Sequence, residues 1–476
     1  TPQLLARFRR RLAPSLAILH SGLAEGERAA GWEAARTGEA QVVIGTRSAV
    51  FTPLARPGLI VVDEEHDPSF KQQEGFRYHA RDLALARGAR EEVPVVLGSA
   101  TPSLESLENA RQGRYTRLAL PERVGGARLP EVNLVDMRGI TAEGGLSPVL
   151  LREVAATVER GEQALLFLNR RGYAPVLLCP ACGWTQLCPH CDRPMTLHSA
   201  RRLLLCHLCG HHQGIPVQCP GTECGNPDLQ TAGLGVEQLE QALAAHLPEV
   251  RQVRVDRDTT RRKGALEAKL DEIASGRAQV VVGTQMVVKG HHFPGVTLVG
   301  VVAADGGLYS ADFRARERLF QQVLQVAGRA GRAERPGRVW VQTHHPEHPV
   351  LDLLRAHDYA GFAEMELAER RAALLPPFAP LALLRAEGPD PDSPGEFLER
   401  ARDRGLAEGV DRVRFLGPAP APVERLEGRY RAQLLVTAPS RSALHRALTP
   451  WAPALEELPR DRDLRWSLDV DPADLF

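Results

Sequence analysis

Cysteine is missing from nine-tenths of this chain. All eight cysteines of the 476 residues lie between Cys179 and Cys224. That confinement excludes a scattered disulfide framework, which in any case suits short secreted chains rather than one of this length. Aromatic residues make up only 5%, and four lysines stand among 59 basic residues. The formal net charge is +0, so no global basic field draws the chain to nucleic acid, and any such contact needs local patches. No apolar run approaches a membrane span, which predicts no membrane association. The start of the chain carries no signal-like apolar segment, so the cytoplasm is the expected compartment, and its reducing conditions suit free thiolates. The 476 residues also contain no Gly-x4-Gly-Lys-Ser/Thr, the loop whose backbone amides and lysine cradle nucleotide phosphates.

What is present is enough apolar residue, 43%, for three or four globular domains. The first 135 or so residues alternate helical stretches with short apolar runs at 41–46, 58–63 and 94–98. Continuous apolar runs between helices predict buried strands of a parallel sheet covered on both faces. A second block follows. Ser147 caps a helix with Pro148 in its first turn; Leu151, Val154, Ala155 and Val158 share a face, and Gly161 ends it. Strands are expected at 164–168, 279–282, 296–302 and 338–342. From about Pro346 the pattern changes to shorter strands and helices, which predicts an α+β domain.

The cysteines run Cys179-x2-Cys182, Cys188-x2-Cys191, Cys206-x2-Cys209 and Cys219-x4-Cys224. Thiolates two residues apart can turn toward one ion, so four pairs predict two tetrahedral Zn²⁺ sites of four thiolates each. Iron–sulfur clusters use other runs and usually fewer cysteines.

Asp63-Glu64-Glu65-His66 follows an apolar run, at the strand end where open α/β sheets bind ligands. An acid there can hold Mg²⁺, and a neighbouring glutamate can orient an attacking water. Gly98-Ser-Ala-Thr101 follows the next strand and offers small hydroxyls to link two domains. Gly283-Thr-Gln-Met286 and Lys289-Gly-His-His292 follow a strand of the second block. Gln325, Arg329 and Arg332 are spaced i, i+4, i+7, which predicts one helix face. Gly328 and Gly331 would each cost such a helix roughly 1 kcal/mol, so close approach by a facing domain or ligand is expected there. After the acids, Phe70, Phe76 and Tyr78 alternate with Lys71, Arg77 and Arg81. Aromatics stack on bases while cations meet phosphates; an aromatic mini-core under a surface loop is the alternative.

Together these segments resemble superfamily 2 helicases, and the details resemble the bacterial replication-restart helicases of the PriA family. The resemblance rests on 60–67, 70–82, Phe167–Gly172, the four cysteine pairs, Gly233–Glu240, 283–294, Ser310–Arg314, Thr343–Pro349 and Leu468–Pro472, and so covers essentially the whole chain. It implies an α/β fold of two RecA-like lobes, the first incomplete, with a Cys-rich zinc-binding insertion in the second and a C-terminal α+β domain. The implied boundaries are 1–138 for the first lobe, 139–178 and 225–347 for the second, 179–224 for the insertion and 348–476 for the C-terminal domain.

The resemblance further implies a nested zinc arrangement. Cys179, Cys182, Cys219 and Cys224 form the outer site, and Cys188, Cys191, Cys206 and Cys209 the inner one. It implies a 3′→5′ DNA helicase driven by ATP and Mg²⁺ that recognises stalled forks and D-loops and helps reload the replicative helicase. Asp63 would hold Mg²⁺, Glu64 would position water, and Gln325, Arg329 and Arg332 would meet the nucleotide. Phe70, Lys71, Phe76, Arg77, Tyr78 and Arg81 would sense DNA. Implied partners are forked and single-stranded DNA, other primosome proteins and the C-terminal tail of single-stranded DNA-binding protein, with a monomeric, nucleoid-associated cytoplasmic protein. Arg429, Arg431 and Arg441 are candidate grips for an acidic tail or a phosphate. In the family the phosphate loop precedes the segment resembling 1–3, so the chain alone is expected to bind ATP poorly, not to hydrolyse it, and to expose apolar surface in its first lobe. The competing expectation is a motor-less scaffold that binds DNA and restart partners.

Overall fold

A computed structural model describes residues 8, 11, 15–20, 22–121, 129–168, 176–190, 194–198, 201–206, 210–231, 236–256, 259–260, 262, 264–284, 293, 295–310, 312–332, 335–407 and 413–475. The chain divides into two compact units, Thr1–Arg117 and Leu118–Phe476.

In the first unit β1 (Leu16–Leu19) leads through α1 (Glu25–Thr37) to β2 (Val42–Gly45), with which it pairs in parallel. Gly45 is required there, because a Cβ would lie 2.4 Å from that of Ala49 and 2.6 Å from the Leu19 carbonyl oxygen. β3 (Ile60–Asp63), α2 (Ala80–Glu91) and β4 (Val95–Gly98) make a second parallel pair, followed by α3 (Leu104–Arg111). The apolar runs therefore do form strands, but β2, β3 and β4 are not buried as expected. Val62 packs inward, whereas Val61, 59% exposed, and its register partner Val96 lie on an open face. Among the described residues the two pairs do not join into one sheet, and no element covers that face. The expected apolar exposure of this lobe is thus present on β3 and β4.

The second unit is built on β5 (Glu131–Asp136), α4 (Pro148–Glu159), β6 (Gln163–Leu168), α5 (Val236–His246), β12 (Gln252–Val255), α6 (Ala265–Ala274), β13 (Val280–Gly283), β14 (Val296–Val302), α7 (Asp305–Leu308), α8 (Ala315–Ala327) and β17 (Arg338–Thr343). Six parallel strands run in the order β12-β13-β6-β14-β17-β5. Period-2 alternation splits their side chains into two cores. Leu165, Phe167, Val281, Val299 and Val301 meet Leu319, Phe320 and Val323 of α8 on one face. Leu166, Leu168, Val280, Val282 and Leu298 meet Leu150 and Val154 of α4 and Leu239 and Leu243 of α5 on the other. Ser147 caps α4 as expected, its Oγ accepting from the Leu150 N–H at 3.2 Å. Leu150, Val154 and Thr157 form the buried stripe, with Leu151, Ala155 and Val158 at its margin. β5, which a boundary at 138 assigns to the first lobe, is instead the edge strand beside β17, from Glu131 opposite Arg338 to Asp136 opposite Thr343. The first unit ends earlier, at Arg117.

Between β6 and α5 lies the cysteine-rich segment, with β7 (Leu177–Leu178), β8 (Thr196–His198), β9 (Leu203–Leu205), β10 (His212–Gly214) and β11 (Gln230–Thr231). β8, β9 and β10 form an antiparallel sheet, and β7 pairs with β11. Between α8 and β17, β15 (Gly331–Arg332) pairs with β16 (Arg335–Pro336). That hairpin corrects the expected helix: α8 stops at Ala327 with Gly328 as its cap, so Arg329 lies in the following turn and Arg332 on β15. Helix propensity falls across Gly328 and Gly331, and the chain turns back so tightly that a Cβ on Gly337 would sit 2.5 Å from the Ala330 carbonyl carbon. The glycines thus end the helix rather than admit a partner along it.

After β17 come α9 (Pro349–Arg355) and α10 (Tyr359–Ala372), whose Val350, Leu351, Leu354 and Phe362 join the core of the parallel sheet. The C-terminal α+β fold begins after them: β18 (Leu381–Gly388), α11 (Ser393–Ala407), β19 (Arg414–Leu426), β20 (Arg429–Thr437), α12 (Arg441–Glu456) and β21 (Arg465–Val470). This βαββαβ chain makes an antiparallel sheet in the order β19-β20-β18-β21, the split-βαβ arrangement, with α11 and α12 packed on one face through Phe397, Leu444 and Trp451.

α8 and α10 are tied by buried charge. Arg370, completely buried, donates to Glu317 at 2.8 Å, to Glu366 at 3.2 Å and to the Phe313 carbonyl at 3.1 Å. Arg316 pairs with Glu366 at 3.2 Å and with Glu369. Removing one member strands the others without water, so Arg370→Ala is expected to destabilise the second unit by about 3–5 kcal/mol. Urea unfolding followed by circular dichroism measures it, and a loss under about 1 kcal/mol contradicts the role assigned to Arg370.

Candidate functional site

The four ionisable residues Asp63 to His66, at the end of β3, do not share one environment. Glu64 has a left-handed backbone, φ 51°, which turns the chain between its neighbours. Asp63 and Glu64 keep their carboxylates accessible, whereas Glu65 is 1% exposed and the His66 ring is buried. His66 Nδ1 lies 2.7 Å from Ser99 Oγ, and Ser99 Oγ accepts the Thr101 N–H at 3.0 Å. The hydroxyl segment Gly98–Thr101 therefore bonds to the acid turn within the first unit. Glu65 was not singled out in the sequence, because three adjacent acids carry no period to show which one turns inward.

The aromatic loop separates into a tip and a foot. At the tip Phe76 is 73% exposed and stacks on Tyr78, with centroids 5.7 Å apart and planes at 28°. Tyr78 also meets the Phe51 ring edge-on at 4.8 Å. Arg77 and Phe70 are half-buried. At the foot Lys71 and Arg81 are withdrawn from solvent. Lys71 is buried and bridges His79, while Arg81 pairs with Glu65 at 3.1 Å and Asp82 at 2.9 Å. The expectation that both cations face phosphate is corrected on this point: Arg81 is held by the Glu65 and Asp82 carboxylates and the Ser103 hydroxyl, and Lys71 is buried where its backbone bridges that of His79. His79 joins them, its imidazole pushed down to about 4, by burial first and then by the Arg81 charge.

In the second unit Gln325 sits in the last turn of α8 and Arg329 just past it, both half-buried. The side chain of Arg332 and residues 285–292 lie outside the described residues. Asp305, the first residue of α7, is buried and accepts the His344 N–H at 3.0 Å; its Oδ2 lies 2.7 Å from His344 Nδ1. Burial alone would raise this carboxyl, but the hydrogen bonds from His344 and Thr343 hold it below the usual range. Arg441 pairs with Asp471, and Arg429 with Glu387 at 3.2 Å.

The cysteines that come together are Cys179, Cys182, Cys219 and Cys224, whose sulfurs all lie within 4.8 Å of one another. Cys179 Sγ is 3.7 Å from Cys224 Sγ, and Cys182 Sγ is 3.5 Å from Cys219 Sγ. Disulfides need about 2.05 Å. Four thiolates at about 2.3 Å from a tetrahedral zinc stand about 3.8 Å apart, so the donor set fits that ion. The turn around the cluster is shaped for sulfur: the Gly221 N–H donates to Cys219 Sγ at 3.3 Å, and a Cβ on Gly221 would lie 3.2 Å from both Cys182 Sγ and Cys219 Sγ. Burial raises the Cys182 thiol and pushes that of Cys219 up to about 12. Burial also opposes ionisation of Cys179, but the Cys182 and Ala181 N–H groups and the Asn226 amide outweigh it and bring this thiol to about 7. Asn226 has no place in the cysteine spacing and was missed. Cys188 and Cys206 are buried in a small core with Leu177, Met195 and Leu204, whereas Cys191 and Cys209 lie outside the described residues.

The module is seated on its surroundings at two points. A Cβ on Gly183 would lie 2.5 Å from the His344 carbonyl oxygen, so the cysteine turn presses on the end of β17. At the other side the buried His198 Nδ1 lies 2.7 Å from Glu424 of β19, which Arg201 also reaches at 3.0 Å.

A parallel α/β unit interrupted by a cysteine-rich ribbon and followed by a split-βαβ domain makes this a multidomain α/β protein with a Cys-rich insertion. Residues 188–213 match the PriA DNA helicase Cys-rich region domain, and residues 371–473 match the primosomal protein N C-terminal domain. The replication restart protein PriA of Haemophilus influenzae is 46% identical over 475 residues, covering 100% of this chain and 64% of that protein. That of Bacillus subtilis is 40% identical over 475 residues, 99% of this chain and 59% of the relative. That of Synechocystis sp. is 44% identical over 456 residues, with 92% and 54% covered. The chain belongs to the PriA family of replication restart proteins, and it spans less than two thirds of the length of these relatives.

The His79 environment gives a pH dependence with a definite sign. Its folded value, about 4, lies below the ordinary 6.5, so the unfolded chain binds the proton first. Stability is full above about pH 6.5 and falls as pH drops toward 4, by up to about 3 kcal/mol from this group. Thermal melting at pH 7.5 and 4.5 should show a smaller difference for His79→Gln than for the unaltered chain; an equal difference contradicts the assignment.

Proposed function

We propose that this protein acts in replication restart as an ATP-dependent 3′→5′ DNA helicase that recognises stalled or collapsed forks and D-loops and promotes reloading of the replicative helicase. The observation that carries the reading is the acid turn at the end of β3. There Asp63 and Glu64 stay accessible, and the chain continues through Phe70 and Lys71 into the stacked Phe76–Tyr78 tip. Asp63 would hold Mg²⁺ and Glu64 would orient the water. Gln325, Arg329 and Arg332 would meet the phosphates. Bound Mg²⁺–ATP supplies the phosphoryl group and the charge neutralisation for its transfer. Phe76 and Tyr78 would stack on bases and Arg77 would meet the backbone, with Phe70, Lys71 and Arg81 holding the loop. Phe76→Ala is expected to weaken binding of single-stranded DNA by roughly 1–3 kcal/mol, tenfold or more, by fluorescence anisotropy.

Two Zn²⁺ ions, nested as outer and inner sites, would hold the ribbon together. The 3.5 and 3.7 Å sulfur pairs support the outer set, since they join the first cysteine pair to the fourth. Cys206→Ser is expected to lower the metal content from two zincs per chain to one. Two remaining would overturn the nested assignment.

Forked DNA, other primosome proteins and the acidic tail of single-stranded DNA-binding protein are the partners this reading assigns to a monomer in the cytoplasm, at the nucleoid. A motor-less scaffold that binds DNA and restart partners is the second reading. ATP hydrolysis by the full gene product with forked DNA separates the two: DNA-stimulated turnover supports the helicase, and none leaves the scaffold.

A further inference from the structure

Each short sulfur–sulfur contact in the outer cysteine set joins an accessible residue to a buried one. Cys182 is exposed, and its Sγ lies 3.5 Å from that of Cys219, which is 2% exposed. Cys224 is half-buried, and its Sγ lies 3.7 Å from that of Cys179, which is completely buried. Cys188 and Cys206 of the inner set are both buried, in a core with Leu177, Met195 and Leu204.

The way in to the outer set is open. Ala181 beside Cys182 is exposed, and so are Thr222 and Glu223 in the turn that joins Cys219 to Cys224. Gly221 places no side chain over the Cys182–Cys219 pair, since a Cβ there would lie 3.2 Å from both sulfurs. Left-handed backbone at Glu223, φ 62°, and at Gly225, φ 56°, turns the chain around Cys224 and leaves both its flanks exposed. Thiolates that hold zinc are deprotonated, and the thiolate is the form that attacks an oxidant. Susceptibility then follows exposure, and a neighbouring sulfur diverts the oxidised one into a disulfide before it reaches the irreversible acids.

We propose that the outer cysteine set is a site of reversible oxidation by peroxides, in which Cys182 reacts first and Cys219 resolves it, with Cys224 and Cys179 as the second such pair. This rests on the reading of these four cysteines as one zinc site. In the first step the Cys182 thiolate attacks one oxygen of hydrogen peroxide. The O–O bond breaks, a sulfenic acid forms and hydroxide leaves. In the second step the Cys219 thiolate attacks Cys182 Sγ. The S–O bond breaks, the disulfide forms and a second hydroxide leaves. The two thiolates give up two electrons, the peroxide takes them, and two solvent protons turn the hydroxides into water. Closing the sulfurs from 3.5 Å to about 2.05 Å removes two of the four donors, which leaves too few to hold zinc against a chelator. Cys182 adjoins Gly183, where a Cβ would lie 2.5 Å from the His344 carbonyl oxygen. Movement of Cys182 toward Cys219 therefore loosens the ribbon at its seat on β17, while the His198–Glu424 contact on β8 stays in place.

The test treats the folded, zinc-loaded chain with increasing hydrogen peroxide in the absence of oxygen. A chromogenic chelator reads released zinc, and non-reducing peptide mass spectrometry reads the cysteine linkages. One zinc per chain is expected to leave at least about tenfold faster than the second. Cys182–Cys219 should be the first linkage and Cys179–Cys224 the next, with Cys188 and Cys206 unlinked during that phase. Dithiothreitol with added zinc should restore both ions. Release of the two zincs at one rate overturns the inference. So does a first linkage within the Cys179-x2-Cys182 pair, or a Cys182 driven to sulfinic acid with no disulfide. In each of these cases two zincs on the untreated chain leave the zinc reading standing. If the chain takes up fewer than two zincs before peroxide is added, or loses none as the Cys182–Cys219 linkage forms, the zinc reading fails and takes the inference with it.

Discussion

Burial of β6 on both faces is the constraint from which the second unit follows. Every side chain from Gln163 to Leu168 is inside, so the strand must have a parallel neighbour on each edge and a layer of helices on each face. β13 and β14 supply the edges, and α4, α5 and α8 supply the layers. A chain obliged to place β6 in the middle has to bring its next segment out at the carboxyl end of the sheet. The cysteine ribbon leaves from there, and so do the turns after β13 and β14 that carry Thr284 and Asp305. The position of the ribbon is thus a by-product of sheet topology, while its internal shape is set by sulfur.

Charge is treated differently at the surface and inside. The turn after β3 exposes Asp63 and Glu64, whereas Glu65, Asp305, Glu317 and Glu366 are buried with partners that compensate them. None of these buried carboxylates adds much net stability, since desolvation offsets the attraction. Each restricts its neighbours to one arrangement: α3 against the acid turn, the end of β17 against the start of α7, and α10 against α8. In a protein with a net charge of +0 the internal pairs fix geometry without leaving a field outside.

Much of this was legible in the sequence because it rests on local pattern. Ser147 and Pro148 mark a helix start, and the continuous runs at 164–168 and 296–302 have the length and β-branched or apolar content of strands covered on both faces. The family was legible from the cysteine pairs and the motif order. What could not be read depends on partners distant in the chain. Burial of β2, β3 and β4 was overestimated, since an apolar run shows that a strand can be covered, not that it is. The helix through Arg332 was inferred from spacing alone, and two glycines within four residues ended it. Lys71 and Arg81 looked like a phosphate grip because alternation with aromatics shows composition but not direction. Glu65, Asp305 and Asn226 bond across gaps of tens of residues, for which no spacing rule exists.

The ribbon's two seats have a mechanical consequence. Gly183 rests against the end of β17, and His198 is held by Glu424 on the long β19 arm of the C-terminal sheet. A small stiff body clamped at both ends behaves as a strut. Among the described residues the ribbon's strands are three residues or fewer and the turns carrying Cys179, Cys182, Cys219 and Cys224 meet around sulfur, so rotation of the C-terminal arm against the parallel sheet is passed along it. The load arrives at the end of β17, on the His344 that is bonded to Asp305. The cysteines thereby set the spacing between two folds as a gauge block does.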